Sequence, residues 1–211
     1  MTARIKICGL TRVEDAELAV SLGAEMIGLN FYPPSPRSLT LERADAIRRV
    51  IRNRAEVVGV FVNSARSTIE LLTRELKLDY LQFHGDENDE AISGWPLKVI
   101  RALRMPPVDG ERRRLSHLAE AIERSRADYV LFDTYHPELY GGTGQARSFT
   151  DLDGIELSRV ILSGGLTPAN VVQAATLRPY AVDVASGVES VPGIKDAAKL
   201  RSFIINAKSA R

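Results

Sequence analysis

The sequence predicts a single soluble (β/α)₈ barrel spanning residues 1–211, with eight parallel strands and a helix after most of them. Eight short apolar segments recur along the chain, and longer amphipathic segments separate them. A chain of 211 residues is long enough for one buried core and short for two. The structural alternative is an open doubly wound sheet, which usually has about five or six strands. The strand count therefore favours the closed barrel.

The predicted strands are mostly continuous apolar runs, which is typical of parallel strands covered by helices. An antiparallel sheet with one face in water shows alternating apolar and polar residues instead. In chain order, the strands are predicted at residues 5–9, 26–32, 56–63, 80–85, 97–104, 129–134, 159–165 and 181–189.

The segments between the strands have apolar residues three or four positions apart, as amphipathic helices do. The clearest are residues 13–22, 41–52, 67–76 and 110–125. Thr11 and Glu14 predict a capping box at the start of the first helix, and Gly23 predicts its end. Further helix starts are predicted at Thr40, Ser67 and the Thr167-Pro168 pair.

Composition and charge indicate an ordinary globular protein. There are 28 Lys and Arg residues and 27 Asp and Glu residues, which leaves a formal net charge of +1. No overall field therefore favours nucleic acid or a membrane surface as a partner. The N-terminus lacks the pattern of a secretory signal, and no apolar run is long enough to cross a bilayer. Cys8 is the single cysteine, so we expect a cytoplasmic protein without an intrachain disulfide.

Two glycine-rich motifs follow the seventh and eighth predicted strands. Ser163, Gly164 and Gly165 lead from one strand towards a helix, and Ser186 and Gly187 follow the other. Glycine lets the backbone approach a ligand closely, and N–H groups at a helix start favour an anion. Either motif alone is equally consistent with a tight turn. Together they predict the phosphate site that this fold often carries after these strands.

A third glycine cluster, YGGTGQ at residues 140–145, follows the sixth predicted strand. Its alternatives are a disordered tip and a loop over the face where the strands end. We interpret it as a loop that closes over a phosphorylated ligand, with Gly142 and Gly144 contributing to the phosphate site.

Two reactive groups are predicted at the ends of strands. Cys8 ends the first strand beside Lys6, and a thiol whose pKa is lowered by nearby cations can act as a base. The alternative is a thiol that only fills the core. Asp133 ends the sixth strand after the apolar run YVLF, which should raise the pKa of its carboxyl, as suits a general acid. A structural hydrogen bond to Thr134 or to a loop amide is the alternative for Asp133.

Further polar residues follow other strands. Arg37 lies in the proline-stiffened loop PPSPRS and is predicted to bind a substrate carboxylate, although many loop arginines are only solvated. Asp183 is predicted to accept hydrogen bonds from substrate hydroxyls. His84 and Asn63 are weaker candidates of the same kind, since a histidine at a strand end is as often a structural partner.

These motifs together resemble a known family. The motifs that carry the resemblance are KICGLT, FYPPSPRS, VGVFVN, LQFHGDE, LFDT, GGTG, LSGGLTPANV and VDVASGVE. In order and spacing, and over essentially the whole chain, they resemble those of phosphoribosylanthranilate isomerase of tryptophan biosynthesis. The resemblance implies an aldose-ketose isomerase that needs no metal and no organic cofactor. Its reaction is the Amadori rearrangement of N-(5-phosphoribosyl)anthranilate to 1-(2-carboxyphenylamino)-1-deoxyribulose 5-phosphate.

The resemblance also implies roles for single residues. Cys8 corresponds to the general base, Asp133 to the general acid and Arg37 to the group that binds the anthranilate carboxylate. Gln145 departs from the family, which often has a lysine after GGTG, so phosphate affinity is expected to differ here. Family members occur as monomers, dimers and fused domains, and we expect a monomer.

Two alternatives stay open at this point. The related isomerase of histidine biosynthesis has similar phosphate loops but uses an aspartate where Cys8 stands. A catalytically silent barrel that serves as a binding subunit is the other alternative, although both proton-transfer residues are present in the sequence.

Overall fold

The computed structural model describes residues 2–105, 119–134, 152 and 155–210. Eight parallel strands form a closed barrel in which each strand pairs with the next and the last pairs with the first. They are β1 (Arg4–Cys8), β2 (Met26–Asn30), β3 (Glu56–Phe61), β4 (Tyr80–Phe83), β5 (Lys98–Met105), β6 (Tyr129–Thr134), β7 (Val160–Leu162) and β8 (Ala181–Val184). The predicted (β/α)₈ barrel is confirmed.

Helices follow the strands on the outside of the barrel. They are α1 (Val13–Ser21), α2 (Leu41–Ile51), α3 (Arg66–Leu76), α4 (Asp89–Ile92), α5 (residues 119–124), α6 (Val171–Thr176) and α7 (Ala197–Ser209). After β8 the chain forms a 3₁₀ turn, Ser186–Val188, and a short antiparallel pair, β9 (Glu189–Val191) and β10 (Ile194–Lys195). The predicted eighth strand, 181–189, therefore ends five residues early at Val184. Of the predicted helix 110–125, residues 110–118 lie outside the described part of the chain.

Some of the predicted helix boundaries are correct. Gly23 follows the end of α1 and has φ of 91°, a left-handed conformation that favours glycine. Thr40 caps α2, because its side chain accepts a hydrogen bond from the backbone N–H of Arg43.

Three predicted helix starts are wrong. The Thr11 capping box does not form, since the Thr11 hydroxyl donates instead to the carbonyl of Gly193 in the β9–β10 turn, at 2.5 Å. The α3 helix begins at Arg66, so Ser67 lies inside it. The α6 helix begins at Val171 and not at Thr167-Pro168. The Asn170 side chain ties the backbone of Thr167 and Gly165 into a turn there, which delays the helix.

The two faces of the strands bury different kinds of side chains. Ile5 and Ile7 of β1 belong to the core cluster that also contains helix residues such as Ala16 and Ile47. The intervening residue, Lys6, belongs to the opposite face, inside the barrel. An apolar layer fills the middle of that interior; its members are Met26, Val58, Tyr80, Ile100, Ala102, Leu131, Ile161 and Ala181. Polar side chains lie at the carboxyl ends of the strands, above this layer.

Within the described residues, no helix has both the length and the apolar character that a membrane crossing requires.

Candidate active site

A cavity of about 540 Å³ opens at the carboxyl ends of the strands. Four of the predicted site residues line it, namely Cys8, Arg37, His84 and Asp183. Ser163, predicted as part of the phosphate site, lines it as well. Strand ends and loops far apart in the sequence therefore bring a thiol, a guanidinium, an imidazole and a carboxylate to one cavity, at the end of the barrel where this fold carries its sites.

Two glycines leave room for the reactive side chains. A Cβ placed on Gly28 of β2 would lie 2.6 Å from the Sγ atom of Cys8. A Cβ on Gly9 would lie 2.4 Å from Cδ of Arg37, and Gly9 also has φ of 69°. Any larger residue at either position would displace the thiol or the guanidinium.

Asp183 is held by two donors inside the barrel. The Nζ atom of Lys6 donates to Oδ1 of Asp183 at 2.8 Å, and the Ser163 hydroxyl donates to Oδ2 at 2.9 Å. Lys6 is fully buried. Burial alone would lower the pKa of Lys6, but Asp183 and the Cys8 thiol act in the opposite direction and raise it above the ordinary value. Lys6 is therefore a charged ammonium at neutral pH.

Cys8 is half-buried at the end of β1. Burial raises the pKa of its thiol, and the Asp183 carboxylate raises it further, whereas Lys6 and Lys195 lower it. Nearby cations therefore do act to lower the pKa of the thiol, as expected, but the net pKa is raised and not lowered, because burial outweighs them. The cost of taking a thiolate out of water exceeds the stabilisation from the two ammonium groups.

Arg37 is ion-paired and is not a solvated loop arginine. Its Nε and Nη2 atoms donate to the two carboxylate oxygens of Glu189 at 2.8 and 2.6 Å. Lys195 Nζ donates to the same carboxylate at 2.9 Å. Burial would raise the pKa of Glu189, but Arg37 and Lys195 lower it below the ordinary value. Sequence reasoning missed both partners, although the GVE motif directly after the eighth predicted strand was a usable signal.

His84 and Gln82 form one wall of the cavity. His84 is buried, and its Nδ1 atom lies 3.0 Å from Nε2 of Gln82. The Oε1 atom of Gln82 is buried and has no hydrogen-bond partner among the described residues. Gln82 was not predicted as a site residue; its place two positions before His84, on the same face of β4, was the available signal.

A second, smaller pocket of about 240 Å³ adjoins the first and shares Ser163, Asp183 and Ala185 with it. Gly164 and Gly165 have φ of 80° and 72°, and both line this pocket. It brings together all five residues of the two predicted phosphate motifs: Ser163, Gly164, Gly165, Ser186 and Gly187. The two motifs thus meet as predicted, and their residues line one pocket.

Other predicted residues lie elsewhere or outside the described residues. The side chain of Asp133 is outside the described part, although its backbone pairs with Arg104 near the carboxyl end of β6. Gly142, Gly144 and Gln145 also lie outside it. Asn63 does not line the cavity; its Oδ1 accepts from the backbone N–H of Asp86, which gives it a structural role in a loop.

Among residues 2–105, 119–134, 152 and 155–210, no three His, Cys, Asp or Glu side chains are grouped to hold a metal ion. The polar groups of the cavity are suited to proton transfer and to binding anions, because they comprise a thiol, an imidazole, cations and hydrogen-bond donors.

The fold and the cavity define a (β/α)₈-barrel protein whose site lies at the carboxyl ends of the strands. The family model of N-(5'-phosphoribosyl)anthranilate (PRA) isomerase matches residues 5–206. The chain therefore belongs to the N-(5'-phosphoribosyl)anthranilate isomerase family and is an enzyme that catalyses an isomerisation. The resemblance found in the sequence motifs is confirmed.

Individual relatives agree with this assignment. The chain is 44% identical over 208 residues to N-(5'-phosphoribosyl)anthranilate isomerase of Azotobacter vinelandii, covering 98% of each chain. Its structure is similar to that of the Thermus thermophilus enzyme, with 36% identity, a TM-score of 0.83 and coverage of 99% and 100%. A third relative, 33% identical with a TM-score of 0.78 and coverage of 98% of each chain, was solved with reduced 1-(o-carboxyphenylamino)-1-deoxyribulose 5-phosphate.

Proposed function

We propose that this enzyme converts N-(5-phosphoribosyl)anthranilate to 1-(2-carboxyphenylamino)-1-deoxyribulose 5-phosphate, as a step of tryptophan biosynthesis. The observation that carries the proposal is that the two pockets adjoin each other, with Ser163, Asp183 and Ala185 lining both. One pocket contains a thiol and a guanidinium, and the other is bordered by glycine backbone. A sugar phosphate with an aromatic carboxylate matches this distribution from one end to the other.

The reaction is proposed to begin at the sugar ring oxygen. Asp133 protonates that oxygen, the furanose opens, and the anthranilate nitrogen forms an iminium with the first sugar carbon. The iminium withdraws electrons from the adjacent carbon and makes its proton acidic. Because the substrate supplies its own electron sink, these steps require no cofactor.

Cys8 is proposed to remove the proton from that carbon. The thiolate takes the proton and becomes a thiol, the resulting enolamine tautomerises, and the ketose product forms. Burial raises the pKa of the Cys8 thiol, and the Lys6 ammonium acts in the opposite direction and stabilises the thiolate. A positioned proton transfer of this kind typically accelerates a reaction by about 10² to 10⁴.

The remaining residues are proposed to bind the substrate and hold it in position for the reaction. The phosphate binds to the backbone around Gly164, Gly165 and Gly187, and Gly142 and Gly144 also contribute to its binding. Arg37 binds the aromatic carboxylate. His84 and Asp183 contact the sugar hydroxyls. Anchoring both ends fixes the reacting carbon beside Cys8, which lowers the entropic part of the barrier.

A direct assay tests the proposal. Purified protein should consume N-(5-phosphoribosyl)anthranilate, and the fall in the fluorescence of its anthranilate group reports conversion. The substrate of the histidine-pathway isomerase, tested in parallel, should not be converted. Tight binding of the reduced product analogue without any turnover of N-(5-phosphoribosyl)anthranilate would show a catalytically silent barrel and end the proposal.

A further inference from the structure

The guanidinium of Arg37 has one edge already occupied. Nε and Nη2 donate to Glu189, which uses the side-on edge of the planar group. The end-on edge, formed by Nη1 and the second hydrogen of Nη2, still has two parallel donors. A carboxylate can therefore bind Arg37 bidentately, but only from this second edge.

Glu189 is itself held from the ends of the barrel strands and not from the loop that carries Arg37. The Nζ atom of Lys195 donates to Glu189, to the carbonyl of Cys8 at 2.7 Å and to the carbonyl of Ala185 at 3.0 Å. The backbone carbonyl of Glu189 accepts from Lys199 Nζ at 2.9 Å. Lys195 and Glu189 thus connect the side chain of Arg37 to the backbone of Cys8, the residue with the thiol.

The charges of Arg37, Glu189 and Lys195 also favour a carboxylate as the ligand of Arg37. The side chains of Arg37 and Glu189 are 13% and 4% exposed, and the side chain of Lys195 is fully buried. Burial lowers the pKa of Lys195, but its Nζ atom donates to three acceptors, which use all three hydrogens of an ammonium. With Lys195 in that form, this group of two cations and one carboxylate carries a net charge of +1 in a mostly buried place. An anion at the end-on edge of Arg37 would make the group neutral, which favours a charged ligand there over an uncharged one of the same shape.

We propose that Glu189 is a positioning residue, anchored by Lys195, that directs the end-on edge of Arg37 to the aromatic carboxylate of the substrate. This inference rests on the proposed function, in which Arg37 binds that carboxylate. Under this inference, Glu189 contributes to the selectivity of the enzyme for a carboxylated aromatic amine by orienting Arg37. Without Glu189 the guanidinium remains charged but samples other orientations, so the carboxylate loses its bidentate partner.

The test compares two probes with each variant. One is the reduced form of 1-(2-carboxyphenylamino)-1-deoxyribulose 5-phosphate, and the other is the same compound with an unsubstituted phenyl ring. Glu189→Gln should weaken binding of the carboxylated probe by about 10-fold to 100-fold, the range for charge-assisted hydrogen bonds. The unsubstituted probe should bind as it does to the original enzyme. In steady-state assays the same variant should raise KM and leave kcat within about 3-fold, an outcome expected for lost uniform binding.

A matched control and a double variant complete the design. Glu17→Gln breaks another bidentate Arg–Glu pair, with Arg54, on an exposed part of the surface, and should change neither affinity. Arg37→Ala should weaken the carboxylated probe at least as much as Glu189→Gln does. Glu189→Gln should add no further loss in the Arg37→Ala background, because both substitutions remove the same contact. Additive losses, or equal losses for the two probes, would overturn the inference.

The two proposals fail in distinguishable ways. If Arg37→Ala leaves the affinity for the carboxylated probe unchanged, the role of Arg37 in the proposed function is wrong. If Arg37→Ala weakens it and Glu189→Gln does not, only the positioning by Glu189 is wrong. Should Glu189→Gln fail to fold, Glu189→Asp is the alternative variant. It keeps the charge, but its side chain is one methylene shorter, so its carboxylate does not reach Nε and Nη2 of Arg37 in their present positions. It should lose selectivity for the carboxylated probe, and unchanged selectivity would reject the inference.

Discussion

Lys6 and Asp183 form an ion pair inside the barrel, with Nζ of Lys6 2.8 Å from Oδ1 of Asp183. The pair joins the two strands that close the barrel, β1 and β8, and lies directly below the carboxyl ends of both. Its ammonium also stabilises the thiolate of Cys8. One buried contact therefore connects closure of the sheet with the acidity of the proposed base.

Removing Lys6 should raise the pKa of Cys8. The Lys6→Met, Asp183→Asn double variant avoids leaving one charge unpaired, which alone can cost about 3 to 5 kcal/mol. The double variant should have a higher Cys8 pKa than the original protein, because Lys6 lowers this pKa more strongly than Asp183 raises it. Because Cys8 is the single cysteine, the pH dependence of iodoacetamide labelling measures this pKa directly. Identical labelling profiles for the double variant and the original protein would show that Lys6 has no net effect on the thiol.

Replacing the proposed base or acid should stop turnover and preserve binding. Cys8→Ser and Asp133→Asn should each lower kcat by about 10² or more, since each removes one proton transfer. The affinity for the reduced product analogue should change little, because neither substitution removes a phosphate or carboxylate contact. Near-native kcat in Cys8→Ser would assign the base to another group, with Asp183 the first to examine.

A side chain at Gly187 should disrupt the smaller pocket. Its Cβ would lie 1.8 Å from the carbonyl oxygen of Leu166, so the backbone that borders the pocket must move. Gly187→Ala should therefore weaken binding of inorganic phosphate and raise KM. Gly94→Ala is the control, because its Cβ meets no atom within 4 Å and costs only the strain of φ at 72°, about 1 to 2 kcal/mol. Equal phosphate affinity in the two variants would contradict the proposed phosphate site.

Acid should remove the stabilisation that Glu189 provides. The pKa of Glu189 is lowered in the folded protein, so its contribution to the free energy of unfolding is present above its ordinary value of 4.5. That contribution is lost as pH falls below 4.5 and through the lower folded pKa. Urea unfolding of the original protein and of Glu189→Gln should give curves that differ near pH 6 and converge in acid. A difference that stayed constant down to pH 3 would contradict the lowered pKa.

The order of elements, the family and several of the polar residues in the cavity could be predicted because they depend on local signals. Continuous apolar runs indicate parallel strands, and the polar residues that follow each run mark the end of a strand. The carboxyl ends of parallel strands meet at one face, so Cys8, Arg37, His84 and Asp183 were expected together, and they do line one cavity. The glycine motifs after β7 and β8 converge for the same reason.

Contacts between distant parts of the chain were decided by the tertiary structure. Arg37 and Glu189 are 152 positions apart, and Lys6 and Asp183 are 177 apart, so no local pattern pairs them. The capping box at Thr11 failed because a residue 182 positions away takes its hydroxyl. The predicted direction of the Cys8 pKa shift was wrong for a related reason. The sequence shows which charges are near Cys8 in the chain, whereas the desolvation that raises the pKa depends on all the atoms packed around the sulfur.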